Sequence, residues 1–251
     1  MLATAIAHFN ADIDRARSLR THAITLPQGV LQSDILRAAW MMAVGACDAY
    51  FSDAYADLVS RAIRAKELQP AISIPDRLNN LKLPVTALLR PASGGWRWRM
   101  AARELVESEN VLALKKIRDI FNQFCRPTHR LINKSTLGPW ITHPTAKKRL
   151  FGVSSAEYSA ATPSQQSKFR EDGMEHFEAH YGAIFQRRHD CIHNCDRPKQ
   201  AIQTIGAPEV LKRIEDVEYL VRLCHSELLV EFPEYLKGLG FNGAVRAQVC
   251  Q

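Results

Sequence analysis

No apolar run in this chain approaches the ~20 residues that a membrane-spanning helix requires, which argues against a membrane protein. The stretch MLATAIAHFNADIDRAR is interrupted by His8, Asn10 and Asp12, so it lacks the unbroken apolar region of a secretory signal. The expected location is the cytoplasm. Cysteine is sparse: Cys47, Cys125, Cys191, Cys195, Cys224 and Cys250 are too few and too scattered to form a disulfide framework in a chain of 251 residues. Cys47 and Cys224 fall on helical apolar stripes and read as small buried hydrophobes. Internal repeats and low-complexity tracts are lacking, and the period-two alternation of strands is scarce. Acidic residues are outnumbered: a formal net charge of +7 favours polyanionic partners through counterion release, without separating RNA from DNA.

What the chain does have is three-to-four periodicity in five segments, which predicts an all-α protein, a single domain over residues 1–251. Leu2, Ile6, Phe9, Ile13 and Ala16 form the first stripe. Trp40, Val44, Cys47, Phe51, Tyr55 and Leu58 form a second, on a helix expected over 33–66 and ~50 Å long if unbroken. Residues 67–95, punctuated by Pro70, Pro75, Pro84 and Pro91, read as a connector with short helical turns over 75–81 and 84–89. A third long helix is expected over 98–124, with Leu114, Ile117, Phe121 and Phe124 inward. Residues 126–161 read as an irregular loop; one this long is uncommon unless it has a function or is partly disordered. Thr162, Pro163 and Gln165 have the pattern of a capping box with proline at the first helical position. The helix they open carries Phe177, Tyr181, Ile184 and Arg188 on one stripe and ends before Pro198. The last helix is expected from Pro208, burying Leu211, Ile214, Val217, Val221, Cys224 and Leu228, with Pro233 and the glycines at 238, 240 and 243 releasing the tail.

The most informative stretch is Arg188-His189-Asp190-Cys191-Ile192-His193-Asn194. Arginine can grip a phosphodiester in bidentate fashion. Histidine transfers protons near neutrality. Spacing alone is weak, because Arg15 and Arg17 stand in similar register to His22, and Arg170 to His176. By spacing alone these residues also fit a charged helix end with a solvated histidine on the C-terminal dipole. Arg188 and His193 are five positions apart, about 140° around a helix, whereas His189 and His193 share a face with Gly182 and Gln186. An arginine on a buried stripe needs an anion. Asp48, aligned with Val44, Phe51 and Tyr55, is the candidate partner.

The heptapeptide, closing a late helix with an aromatic and aliphatic opposite face, resembles the signature of the HEPN superfamily: Arg, a polar residue, a short spacer, His. The branch it most resembles is the RiboL-PSP group, and the likeness extends to LQSDILRAAWMMAVGACDAYFSDAYADLV, where such domains carry a long early helix. The resemblance implies a HEPN-like bundle of about five long helices. It also implies a metal-independent endoribonuclease, in which 2′-hydroxyl attack leaves 2′,3′-cyclic phosphate ends, in toxin or phage-defence settings. Arg188 would hold the scissile phosphate and His193 transfer the proton. His189 would be the polar companion, and Asp48 and Asn194 would give support. One motif per chain implies a homodimer with a composite site, and the setting implies an antitoxin or defence-system protein as partner. No cofactor or metal is implied.

Other features are open to two readings. Trp96 could stack on bases or pack against a core, and Lys147-Lys148-Arg149 could follow a nucleic-acid backbone or be a solvated loop. Arg187 joins them as a candidate RNA contact. His176/His180 and His189/His193 are pairs four apart, but His180 and His189 are nine positions apart, about 180° around the helix, so the pairs cannot share one ion. The alternative to the nuclease is a non-catalytic HEPN-like helical module that binds a nucleotide or a partner protein.

Overall fold

A computed structural model describes residues 1–80, 98–100, 102–103, 112–197 and 201–251, and among these every regular element is helical. The helices are α1 (Ala3–Ala23), α2 (Val30–Leu68), α3 (Asp76–Asn79) and α4 (Leu114–Phe121), which runs into a 3-10 turn (Asn122–Phe124). They continue with α5 (Leu137–Thr142), α6 (Lys148–Phe151), α7 (Ser155–Ala160), α8 (Pro163–Asn194), α9 (Ala207–Gly238) and α10 (Gly243–Cys250). None of the described helices is long and apolar enough to cross a membrane.

Local chemistry accounts for most of these boundaries. Helix α8 opens on the Thr162 capping box: the Thr162 side chain accepts from the Gln165 amide, and the Gln165 side chain accepts from the Thr162 amide at 2.9 Å. The stripe of α2 buries Trp40, Val44, Cys47, Phe51, Tyr55 and Leu58. That of α9 buries Ile214, Val217, Val221, Cys224 and Leu228, while Leu211 stays half-buried.

Three expectations are corrected. The helix over 98–124 is not continuous, because Ala113 is extended (φ −149°, ψ 134°) and α4 starts only at Leu114. Residues 126–161 are not a plain loop, since α5, α6 and α7 lie within them. Of the residues expected to release the tail, Pro233 does not: α9 passes through it and ends at Gly238, the first of the three glycines. Proline fits helical φ and removes one backbone donor. The carbonyl that loses its partner is that of Leu229, and Leu229 and Val230 are exposed, so water can take the bond. In the connector, α3 matches the first expected turn, and the second, over 84–89, lies outside the described residues.

The chain divides into two compact units. The first comprises Met1–Ile6, Ala49–Leu131 and Cys224–Gln251. Its core is aromatic: Phe51 meets Phe121 at 5.5 Å between ring centroids, Tyr55 meets Phe124 at 5.8 Å, and Phe124 meets Phe232 at 6.0 Å. These tilted and edge-on contacts each add about 0.5–1.5 kcal/mol beyond burial. Buried Glu231 is held in a fork by Arg126, at 2.9 and 2.6 Å.

The second unit comprises Ala7–Asp48 and Ile132–Leu223. The Trp40 indole donates to the Ile184 carbonyl (3.3 Å), and Phe151 stacks on Phe177 at 5.2 Å. Buried Asp216 accepts from Arg149 (2.8 Å), His180 (2.9 Å) and Arg213 (3.3 Å). Burial pushes its carboxyl up, but the hydrogen bonds from His180 and Arg149 outweigh that and hold it below the usual carboxylate range. Gly152 ends α6 in the left-handed conformation (φ 73°), as a helix-terminating glycine can.

Candidate active site at the end of helix α8

The last turns of α8 lie in the second unit. The helix stops at Asn194 because Cys195 (φ 50°) and Asp196 (φ 58°) both take the left-handed conformation. Their amides turn back onto the Asp190 carbonyl, Asp196 at 2.9 Å. Two successive left-handed non-glycine residues are costly, and they persist only where the surroundings hold them. Here the hold is electrostatic. The Asp196 carboxylate, 0% exposed, accepts from Arg37 Nε at 2.7 Å and from an Arg187 terminal nitrogen at 3.2 Å. Arg37 also donates to the Gln203 carbonyl (2.6 Å) and Arg187 to the Thr204 carbonyl (2.8 Å). The Asp196 carbonyl in turn accepts from the Gln203 amide (2.9 Å). A buried anion thus ties α2, the end of α8 and the segment before α9 together.

Adjacent arginines have opposite fates. The Arg187 side chain is 11% exposed, sits 5.0 Å over the Trp40 ring and lies 3.6 Å from Glu209. Its guanidinium, expected as a candidate RNA contact, is held by these internal partners. Arg188 is half-buried and makes no hydrogen bond or ion pair with a described residue. Its electrostatic counterpart is Asp48, the residue expected to pair with it. The two attract through space without closing into a salt bridge. Burial pushes the Asp48 carboxyl above its ordinary value, and the positive charge of Arg188 only partly opposes that.

His189 and His193 are exposed, one helical turn apart, with ring centroids 4.3 Å from each other. On the same strip Gly182 has open space where a side chain would stand, so a backbone or substrate can approach closely. Asp190 is buried and accepts from Gln186 at 3.0 Å. Asn194 is exposed at the last helical position, its carbonyl accepting from the Arg197 amide. Burial, with the negative charge of Asp196, pushes the Cys191 thiol up to about 11, which favours the protonated thiol at neutral pH.

The other candidates are not brought to this place. Lys148 pairs with Glu157 (2.8 Å), and Arg149 is spent on Asp216 and on Glu215 (2.9 Å). Of the basic run, exposed Lys147, the residue that precedes α6, has no such commitment among the described residues. Trp96 lies outside the described residues. His176 donates to the Arg149 carbonyl (3.1 Å) and His180 to Asp216. No group of three or more His, Cys, Asp or Glu residues among the described ones is placed to hold a metal ion. Arg37, Trp40 and Asp196 were not legible as parts of the site. Asp196 is 159 positions from Arg37, and its only local signal is a carboxylate just past a helix end. No protein-family model, curated protein or solved structure shows significant similarity to this chain.

Proposed function

We propose that the chain is a HEPN-like helical protein acting as a metal-independent endoribonuclease, with Arg188 and His193 as its principal catalytic groups. The observation that carries this reading is the condition of Arg188. Of the three arginines near the end of α8, Arg37 and Arg187 are consumed by Asp196, while Arg188 has no hydrogen-bonded or ion-paired partner among the described residues. A half-buried guanidinium with unspent donors, one position from an exposed imidazole pair, is suited to an external anion. The phosphodiester supplies that anion.

In the proposed reaction the 2′-oxygen bonds to the adjacent phosphorus as its proton passes to His193. The bond from phosphorus to the 5′-oxygen breaks, and that oxygen takes up a proton. The products are a 2′,3′-cyclic phosphate and a 5′-hydroxyl. Arg188 neutralises charge accumulating on the non-bridging oxygens, His189 orients His193 or the phosphate, and Asp48 and Asn194 support. Arg188 and His193 are about 140° apart on one helix, so they do not converge from the same face. That separation favours a homodimer in which the two copies complete each other's sites. In this reading the protein is cytoplasmic and acts in a toxin or defence setting, with an antitoxin or defence-system protein as its control.

The same separation favours the second reading, a non-catalytic module that uses Arg188 to bind a nucleotide or an acidic partner segment. A substrate with a single 2′-deoxy position separates the two. Incubated with the protein in EDTA, an RNA should be cut to cyclic-phosphate ends, and the cut 3′ of the deoxy position should vanish. Binding without cleavage at any concentration supports the module instead.

A further inference from the structure

The first unit contains a cavity of about 250 Å³ lined by Asp57, Ser60, Arg61 and Arg64 of α2, by Arg99 and by Gln248 of α10. The acidic group there is already satisfied: Asp57 accepts from the Leu2 amide at 3.0 Å and from Arg61 Nε at 2.7 Å. Arg61 also donates to the Val249 carbonyl, and Arg64 donates to Glu67 at 3.0 Å. Those bonds leave most of the N–H groups of Arg61 and Arg64 unspent. The side chains of Arg61 and Arg64 are 22% and 44% exposed, so one is held in place and the other can close on a guest.

We infer that this cavity is a binding site for a small phosphoryl-bearing anion. A recess lined by planar guanidinium forks matches phosphate oxygens in pairs. Among the described lining residues none is aromatic and Val249 alone is apolar, so what they offer a guest is charge and hydrogen bonds. Its volume is below the ~300–1,000 Å³ of sites for drug-sized ligands and suits a pyrophosphate or a phosphorylated sugar. The phosphates of an RNA strand carry the same chemistry, and the test separates the two sources.

Pyrophosphate titrated into the full chain at fixed ionic strength, followed by calorimetry, should give saturable binding. Arg64→Gln/Arg99→Gln should weaken it by about tenfold or more, as loss of charge-assisted hydrogen bonds implies. Circular dichroism checks that the fold is retained, and Arg64→Gln alone serves if the double substitution unfolds the chain. A short single-stranded RNA should not be displaced by pyrophosphate and should bind the variants as it binds the wild type. No saturable pyrophosphate binding, or equal affinity in the variants, would overturn the proposal. So would RNA binding that is lost in the variants while pyrophosphate itself does not bind.

Discussion

Replacing Asp196 with asparagine isolates the charge that ties the end of α8 in place. Asparagine keeps the shape of the side chain and tolerates the left-handed backbone (φ 58°), so only the negative charge is lost. It leaves two guanidiniums, each 11% exposed, facing a neutral amide. Breaking a buried ion pair from one side typically costs about 3–5 kcal/mol. Two features place this case at the lower end. Arg37 and Arg187 keep bonds to Asp34 and to the carbonyls of Gln203 and Thr204. One Asp196 oxygen and Arg187 Nε are also buried without a hydrogen-bond partner, so the wild-type network already carries some desolvation cost. A loss of about 3 kcal/mol at about 2–4 °C per kcal/mol predicts a Tm lowered by about 6–12 °C. Thermal unfolding followed by circular dichroism reads it. A Tm within about 2 °C of wild type would mean that the network contributes less than about 1 kcal/mol, and the electrostatic account of the helix end would fail.

Arg188→Lys should lower the cleavage rate by about 10²–10³ with an unchanged Tm, because an ammonium has the charge but not the planar fork. Arg187→Ala should do the reverse, lowering stability through loss of Asp196, Glu209 and the Trp40 face; single-turnover rates and melting curves distinguish the pair. Asp48→Asn should stabilise the protein at neutral pH. The Asp48 carboxyl is raised in the folded state by burial, so the native form binds its proton more tightly than the unfolded chain does. The gain from asparagine should therefore be present above the folded pKa and shrink as pH falls through it towards the unfolded value, which melting curves from pH 7 downward would show. An unchanged difference across that window would contradict the assignment.

The features legible in the sequence are those with local causes. Thr162, Pro163 and Gln165 carry their capping chemistry within four positions, and α8 begins where they predict. The stripe from Trp40 to Leu58 repeats on one face and is buried as a face. Periodicity is blind to a break that keeps its phase: Leu114, Ile117, Phe121 and Phe124 line up whether or not Ala113 is helical, and an extended Ala113 separates them from what precedes. Pro233 misled for the opposite reason, because a proline with an exposed carbonyl partner need not stop a helix. Position on the stripe indicated that Arg188 is partly turned inward, but it could not reveal that Arg187 is the more deeply committed residue. That depends on Asp196, Trp40 and Glu209, contributed from three segments, and pairwise contacts at such separations leave no periodic trace.

The proposed nuclease stands or falls on His193 as the group that moves the proton in RNA cleavage. The most direct measurement is the cleavage rate of His193→Ala on total RNA in EDTA, with wild type and His22→Ala run alongside and the ends mapped. His22 is exposed, stands in similar register to an arginine and lies outside the α8 turn, so its loss should leave the rate unchanged. Wild type and His22→Ala should give cyclic-phosphate ends, and the rate for His193→Ala should be lower by about 10²–10⁴ with the fold intact. A His193→Ala protein that cleaves at the wild-type rate would contradict that role, and the α8 end would then be a charged helix terminus without catalytic chemistry.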